Sequence, residues 1–423
     1  MKNKQTKIAN ALELHQTDIA RCVKCGSCST VCPTYLHEHD ESFSARGRMA
    51  LIKAVLDGRL KVSRIYKDRL ATCATCLACE AACPSNVPVA EILQAAKEQA
   101  VAESGRGIIS SVIAGALKQP ALMHAAAWLA PVMLHYSKGQ GAGGRGTSAR
   151  FPRLKRSGAG FVQSSEKTGS RGTVAFFPGC AVEHIQTDIG GATIRVLNAI
   201  GYDVIVPDGL KCCGRPLLSL GDRQAAEELA AHNTALFEAL EVEAIVTSCA
   251  SCGLTFKKDY PKLLRPGAKA PVVLDIHEFL AGRTGGIKLK PVSKSVTVHD
   301  PCHLNRGQGL SGTVRALLRT IPGLTLVEMR YPDRCCGFGG VMRMTHRELS
   351  DGIAADKVNN IIATRAAVVA TGCPGCCMQI SDALRRRGSG IEVMHPLQLL
   401  EEALSTADCP RERHSTAGVP FGR

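Results

Sequence analysis

The sequence lacks three features that would each point to a common class of function. Its first residues, "MKNKQTKIANALELHQTD", contain no apolar core of the kind that a secretory signal peptide needs. No GxGxxG or P-loop sequence follows a strand pattern and opens a helix, so no nucleotide-binding loop is predicted. Aromatic residues are only 4% of the chain, and no groove pattern of interleaved aromatic and basic residues is present. We therefore expect a cytoplasmic protein that does not bind nucleic acid.

The chain also lacks a long uninterrupted apolar run. A membrane-spanning helix needs about 20 consecutive apolar residues. The most apolar stretch, residues 108–136, is broken by polar residues and prolines, among them Lys118, Pro120 and Pro131. It predicts two or three short helices that pack against the protein, with shallow membrane contact as the alternative. No transmembrane anchor is predicted.

The net charge of +15 is unevenly distributed along the sequence. Residues 137–173 hold eight lysines or arginines and one acidic residue, Glu166, among many glycines and serines. This composition predicts a flexible basic linker. The linker is either simply solvated or lies on an acidic partner subunit or on anionic lipid headgroups, which would make the protein peripheral on the inner membrane face.

Cysteine is abundant, with 20 residues, and eight of them fall in two tight clusters, "CVKCGSCSTVCP" and "CATCLACEAACP". Because a reducing cytosol disfavours disulfides, such clusters favour metal binding. Each cluster follows C-x2-C-x2-C-x3-C-P, in which three closely spaced thiolates bind one cubane and the fourth ligates the other. A zinc ribbon would have two separated C-x2-C pairs and no trailing Cys-Pro. The sequence therefore predicts two cubane [4Fe-4S] clusters with crossed ligands.

The predicted ligands of the first cubane are Cys22, Cys25, Cys28 and Cys83. The predicted ligands of the second cubane are Cys73, Cys76, Cys79 and Cys32. Between the two clusters, apolar residues recur at helical spacing at Met49, Ile52, Val55, Leu56 and Leu60. We expect residues 1–105 to form a helical two-cluster ferredoxin domain.

From Thr173 onward the chain contains an internal repeat. Three short apolar or β-branched runs, each ending near cysteine, occur twice, and corresponding cysteines are 122 to 124 residues apart. Helical patterns follow the runs, so each repeat is predicted to be an α/β domain with a parallel sheet. Because ligands of such sheets gather at the carboxyl ends of the strands, the cysteines of each repeat should converge.

The convergent set of the first repeat is Cys180, Cys212, Cys213, Cys249 and Cys252. The convergent set of the second repeat is Cys302, Cys335, Cys336, Cys373 and Cys376. Adjacent cysteines point to opposite faces of an extended strand, so both can reach one centre only if the backbone turns. Gly214 and Gly337, which follow the two pairs, can supply that turn with positive φ. Five thiols are one more than a cubane or a tetrahedral zinc uses.

The predicted domain organisation has five parts. Residues 106–172 carry the apolar helices and the basic linker, residues 173–290 and 291–405 form the two repeats, and residues 406–423 form a disordered tail. Cys409 lies in that tail and is given no role. Cys377 has Gly253 as its counterpart in the first repeat and is predicted to be a buried spare thiol.

The paired motifs "GLKCCGRP" and "DRCCGFGG", each between a lone cysteine and a CxxC, resemble the tandem CCG-domain family. With "CPTY" at Cys32 and "ARGR" at residues 45–48, the order of domains is similar to the iron–sulfur subunits of glycolate and lactate dehydrogenases, which are related to heterodisulfide reductase subunits. The resemblance implies one or two non-cubane [4Fe-4S] clusters at the ten repeat cysteines.

Two functions follow from this resemblance. The first is an electron-transfer subunit that takes electrons from an FAD-containing subunit oxidising a 2-hydroxy acid, glycolate or lactate, and passes them to a quinone or another carrier. The second is a heterodisulfide-reductase-type catalytic subunit that reduces a disulfide at its CCG clusters. A zinc-stabilised scaffold is disfavoured by the ferredoxin motifs. His299 and His303 are expected to hydrogen-bond to cluster thiolates or to backbone rather than to ligate metal.

Overall fold

The computed structural model describes residues 12–118 and 171–405. Residues 1–11, 119–170 and 406–423 lie outside the described part. They hold most of the predicted apolar helices and basic linker, and the predicted tail with Cys409.

The N-terminal part of the chain is helical, as expected for a two-cluster ferredoxin domain. Its helices are α1 Gln16–Ala20, α2 Ser27–Val31, α3 Pro33–Glu38, α4 Ala45–Leu56, α5 Arg64–Ala71, α6 Ala78–Ala81, α7 Val89–Ser104 and α8 Ile108–Lys118, with a 3-10 turn at Glu41–Phe43. Ser44 caps α4 by accepting a hydrogen bond from the amide of Gly47. Met49 and Ile52 are buried as their spacing predicts.

Leu60 differs from its predicted place on this helix. Helix α4 ends at Leu56, and Gly58 adopts a left-handed φ of 72° that turns the chain away. The Leu60 side chain is consequently 47% exposed. Because Gly58 follows directly after Asp57, the helix ends one turn earlier than the spacing of apolar residues predicted.

The first repeat is a four-stranded parallel sheet with helices on its faces. Its strands are β1 Gly172–Phe176, β2 Tyr202–Ile205, β3 Ala244–Thr247 and β4 Val273–Asp275. Its helices are α9 Gly179–His184, α10 Thr187–Ala199, α11 Arg215–Ser219, α12 Arg223–Glu238, α13 Ala250–Leu254, α14 Tyr260–Leu263 and α15 Ile276–Leu280, with a π turn at Thr255–Asp259. The strand order is β2-β1-β3-β4.

The second repeat has the same topology. Its strands are β5 Ser295–Val298, β6 Thr325–Leu326, β7 Val368–Ala370 and β8 Glu392–Met394. Its helices are α16 Cys302–Gln308, α17 Ser311–Arg319, α18 Met342–Thr345, α19 Arg347–Ala363, α20 Pro374–Arg386 and α21 Pro396–Ala403. The order β6-β5-β7-β8, again with parallel pairing throughout, confirms the predicted duplication and the predicted α/β class.

The two repeats share one hydrophobic core. Buried side chains from both sheets, such as Val174 and Val296, belong to the same apolar cluster. Helix α10 packs on α21, and the Gln398 amide donates to the Asp188 carboxylate across that junction at 2.6 Å. A shared core holds the two carboxyl-end edges in a fixed relation, because packed interiors resist deformation.

The ferredoxin domain packs on both repeats. On the first repeat, the ammonium of Lys97 donates to the carbonyl of Ser219 at 3.2 Å, and a Cβ on Gly221 would lie 2.5 Å from the Lys97 carbonyl oxygen. On the second repeat, His346 contacts the Asp68 carboxylate at 3.0 Å. These contacts bring the second ferredoxin cysteine motif to the edges of both sheets.

Helix α8 is the described part of the apolar stretch. Ala114 and Leu117 are buried in the first repeat, where they join the cluster that contains Leu217. This agrees with the expectation that the stretch packs against the protein. Among the helices in residues 12–118 and 171–405, none is both long and apolar enough to cross a bilayer.

Candidate metal centres

The first ferredoxin cleft collects cysteines from both sequence motifs. Cys22, Cys25, Cys28 and Cys83 line it, and Cys79 borders it. About 430 Å³ of space not occupied by atoms lies between these walls, part of it open to solvent. Cys25 is the exposed member, and hydrogen bonding to Ser27 lowers the pKa of its thiol. The cleft therefore brings together the four cysteines predicted to ligate the first cubane.

A second cleft collects the other four. It is lined by Cys32, Cys73, Cys76 and Cys79 and has about 410 Å³ of such space. Cys32 is buried, and its thiol lies 3.2 Å from the Thr34 hydroxyl. Two separate, thiol-lined clefts with exchanged fourth cysteines are the donor sets that a pair of cubanes requires. The residues present thus fit iron–sulfur groups.

Arg48 organises the second cleft and was not identified from the sequence as a site residue. Its guanidinium is only 1% exposed, and it donates to the hydroxyls of Thr34 and Thr72 and to the Arg69 carbonyl at 2.7 to 3.1 Å. Thr34 and Thr72 each lie within two residues of a predicted ligand. The one available signal was the "ARGR" sequence, which carries no indication that its second arginine is buried.

The five thiols of the first repeat form a continuous series of contacts. Cys180 Sγ lies 3.7 Å from Cys212 Sγ. Cys212 contacts Cys213, Cys213 contacts Cys252, and Cys252 contacts Cys249. The structure therefore brings the whole predicted set to one place beyond the carboxyl ends of β1, β2 and β3.

The second repeat builds the same series in the same order. Cys302 contacts Cys335, which contacts Cys336. Cys336 Sγ lies 3.4 Å from Cys376 Sγ, and Cys376 contacts Cys373. The buried thiols in this group have no disulfide partner among the described cysteines. Their assignment as cluster ligands remains a prediction.

The glycines after the two cysteine pairs adopt the predicted backbone. Gly214 has φ +92° and Gly337 has φ +86°, a left-handed region that costs side-chain-bearing residues about 1 to 2 kcal/mol. At Gly337 the turn also passes close to α19, where a Cβ would meet the Ser350 carbonyl oxygen at 2.5 Å. The turn lets both thiols of each pair face one centre.

Contacts between the buried thiols lower the pKa of some of these cysteines and raise the pKa of others. Hydrogen bonds from Cys212 and Cys252 hold the pKa of Cys213 well below its usual value, whereas contacts with Cys213 and Cys249, together with burial, raise the pKa of Cys252. In the second repeat, hydrogen bonds from Cys335 and Cys376 likewise lower the pKa of Cys336. The second cysteine of each pair is thus the favoured thiolate, which is the form that binds metal.

Two contacts that cross domain boundaries join the thiol groups into a line. The thiol of Cys76, in the ferredoxin domain, lies in contact with that of Cys335. The thiol of Cys249, in the first repeat, likewise lies in contact with that of Cys373, in the second. In the order of these thiol contacts, the cysteines of the second repeat therefore come between those of the second ferredoxin cleft and those of the first repeat.

His299 and His303, which the sequence predicts to hydrogen-bond to cluster thiolates or to backbone, both bond to backbone carbonyls. His303 lies between Ser251, whose hydroxyl is 3.0 Å from Nδ1, and the Thr75 carbonyl, 3.1 Å from Nε2. Nδ1 of His299 bonds to the Pro332 carbonyl at 3.1 Å. Cys377 is buried as predicted, and its thiol faces the Thr371 carbonyl at 3.5 Å.

A second pair of histidines at the site was missed from the sequence. His277 and His395 each follow the fourth strand of a repeat, are at most 1% exposed, and lie with ring centroids 5.3 Å apart. Asp275 orients His277 through a 2.7 Å contact with Nδ1. The signal was a fourth beat of the repeat, "VVLDIHEFL" and "IEVMHPLQLL", which contains no cysteine.

Comparison with known proteins agrees with this architecture. Residues 18–87 match the 4Fe-4S dicluster domain, and residues 174–257 and 296–381 each match the cysteine-rich domain. The chain is 35% identical over 391 residues, 91% of its length and 72% of the other, to one subunit of the fumarate reductase (CoM/CoB) of Methanothermobacter marburgensis.

Two other relatives match nearly end to end. The probable glycolate oxidase iron–sulfur subunit of Bacillus subtilis is 29% identical over 430 residues, which cover 92% of this chain and 95% of that protein. One subunit of the dihydromethanophenazine:CoB–CoM heterodisulfide reductase of Methanosarcina barkeri is 28% identical over 436 residues, with 94% and 97% covered. The chain therefore belongs to the family of iron–sulfur electron-transfer subunits that join a 4Fe-4S dicluster domain to two cysteine-rich domains.

Proposed function

We propose that the chain relays electrons within a 2-hydroxy-acid dehydrogenase complex. It would take them from an FAD-containing subunit that oxidises glycolate or lactate and pass them towards a quinone or another carrier. The observation that carries the proposal is the line of thiol groups that runs from the exposed Cys25 through all three domains to Cys180. A relay needs such an arrangement, whereas a single catalytic centre does not.

The chain's own residues would hold four groups along this line. Each ferredoxin cleft would hold one cubane, and each repeat would hold one non-cubane [4Fe-4S] cluster through its five cysteines. When bound, iron–sulfur clusters supply one-electron redox steps, with potentials set by net charge, hydrogen bonds to sulfur and exposure. In this chain the hydroxyls of Ser27 and Thr34 lie within hydrogen-bond distance of the Cys25 and Cys32 thiols, and most cysteines of the two repeats are buried. These hydrogen bonds and this burial would set the potentials of the bound clusters.

The contacts between domains also favour one order of stations. The first cubane would stand at the surface, the second would follow, and electrons would reach the second repeat at the Cys76 and Cys335 junction. The first repeat would come last, across the Cys249 and Cys373 junction. The two ends of this line are the places where the two exchange partners would dock.

Metal analysis and reconstitution test the proposal together. Anaerobically purified chain should contain about 16 irons, four for each of four clusters. Alone, it should not reduce a dye with glycolate or lactate, and adding an FAD-containing dehydrogenase subunit should allow substrate to reduce its clusters. About eight irons with about two zinc ions would show that the repeats do not hold iron–sulfur groups.

A second candidate function is reduction of a disulfide at the repeats. Two of the relatives described above have names that refer to CoM and CoB. A large cleft with about 1090 Å³ of unoccupied space, partly open, also opens where the three domains meet, with Thr75, Arg215 and His303 in its walls. If the purified chain cleaved a mixed thiol disulfide with a reducing dye and no partner, this function would replace the relay.

A further inference from the structure

His299 occupies a special position at the second cysteine group. It is the first residue after strand β5, three residues before Cys302, and its side chain is only 1% exposed. The same position after β1 in the first repeat holds Phe177, which packs edge-on against Phe256 at a centroid distance of 4.8 Å. One cysteine group is thus bordered by an imidazole and the other by a ring without a donor atom.

The backbone fixes the tautomer of His299. Nδ1 lies 3.1 Å from the Pro332 carbonyl oxygen, which can only accept, so Nδ1 carries the proton and donates. The same carbonyl is held by the Asp300 amide at 3.0 Å and the Lys357 ammonium at 3.2 Å. Nε2 is buried and has no hydrogen-bond partner. A neutral imidazole held this way presents a lone pair on Nε2.

The distances suit a metal. A ring nitrogen of His299 and the Sγ atoms of Cys336 and Cys376 all lie within 4.8 Å of one another. The two sulfurs are 3.4 Å apart, close to the about 3.7 Å edge of a tetrahedron with metal–sulfur bonds of about 2.3 Å.

We propose that His299, through Nε2, is a nitrogen ligand of the metal held by the cysteines of the second repeat, and that the first repeat has no equivalent. The hydrogen bond to Pro332 acts as the outer partner that orients ligating histidines in other metal sites. The metal is one that accepts both sulfur and imidazole, either an iron of an iron–sulfur group or a zinc ion. This inference rests on the proposed metal centre of the second repeat.

The test uses the full chain, purified anaerobically with its metals and with histidine labelled with ¹⁴N or ¹⁵N. For iron, pulsed EPR of the reduced protein should show a strongly coupled nitrogen that changes with the isotope. For zinc, X-ray absorption at the zinc edge should show a nitrogen neighbour besides sulfur. Either signal should be lost in His299→Phe, which installs the first-repeat residue, and retained in His184→Phe, a control at a buried histidine four residues after Cys180.

The outcomes separate this inference from the proposed function. Metal in the second repeat without a coupled histidine nitrogen would overturn the inference and leave the relay intact. Iron for the two cubanes only, with no other metal, would overturn both. If His299→Phe does not fold, His299→Gln serves in its place, and the isotope comparison on the unaltered chain still decides whether any histidine nitrogen is bound.

Discussion

The two repeats place five thiols in the same order but surround them differently. Around the first group, Phe177 and Asn233 are uncharged neighbours, and the cation close to the cysteine pair is Arg215, which is paired with the Asp259 carboxylate at 3.0 Å. Around the second group the neighbours are His299 and Lys357, both fully buried. The backbone of the duplicated fold is what the two sites share, and the side chains beside the cysteines are what distinguishes them.

Asn233 and Lys357 show how the difference arises. Asn233, on α12, donates to the carbonyls of Lys211 and Cys212 and so holds the loop that carries the first cysteine pair. Lys357, on α19, donates to the carbonyls of Tyr331 at 2.7 Å and Pro332 at 3.2 Å and holds the corresponding loop. Both residues support a loop, but Lys357 also brings a positive charge close to the cysteines. A nearby buried cation stabilises the more negative, reduced state of a cluster.

Replacing one cysteine in each repeat should give the largest effects. Cys213→Ser and Cys336→Ser each remove the favoured thiolate of one adjacent cysteine pair, so each variant should lose about four of about 16 irons. The ferredoxin EPR signals should remain in both. Loss of iron from both repeats in either variant would show that the two centres assemble as one unit. Cys83→Ser should instead remove a ferredoxin signal.

Glycine substitutions should show that the two turns are not equally constrained. Gly337→Ala places a Cβ 2.5 Å from the Ser350 carbonyl, whereas the nearest atom to a Cβ on Gly214 is 3.5 Å away. We expect Gly337→Ala to cost about 2–4 kcal/mol and Gly214→Ala about 1 kcal/mol. Thermal unfolding followed by loss of cluster absorbance measures both. Equal losses of stability would contradict the asymmetry.

Exchanging the loop-holding residues should change one potential selectively. Lys357→Asn removes the buried charge, so the midpoint potential of the second-repeat centre should fall by tens of millivolts while that of the first stays unchanged. Redox titration monitored by EPR measures both centres in one sample. Lys357→Arg, which retains the charge, is the control. A fall of both potentials would indicate a change in folding rather than in local charge.

The smallest effect is expected at Cys377, whose counterpart is Gly253. Its thiol contacts a backbone carbonyl and lies outside the series of contacts among the five cysteines. Cys377→Ala should keep the full iron content and lower the free energy of unfolding by about 1 kcal/mol, the cost of a small cavity. Loss of about four irons would show that Cys377 is a ligand. The second repeat would then have one more cysteine donor than the first.

The sequence by itself determined the local geometry of this protein. Cysteine spacings of two residues are set by short loops, so three donors of each ferredoxin set follow from local spacing, and the crossed fourth donor follows from the known C-x2-C-x2-C-x3-C-P motif. The alternation of strand and helix patterns and the 122 to 124 residue offset predicted two parallel sheets, which the strand orders confirm. The position of a glycine directly after each cysteine pair predicted a left-handed backbone there, and Gly214 and Gly337 both adopt it.

Tertiary structure alone decided which groups meet. The contacts of Cys76 with Cys335 and of Cys249 with Cys373 join residues more than 100 positions apart. They depend on how one shared core fixes the two sheet edges, and residue spacing carries no information about that packing. The same holds for the burial of Arg48 beside both ferredoxin loops and for the free Nε2 of His299. Local chain geometry sets the donors of each site, and packing sets their neighbours.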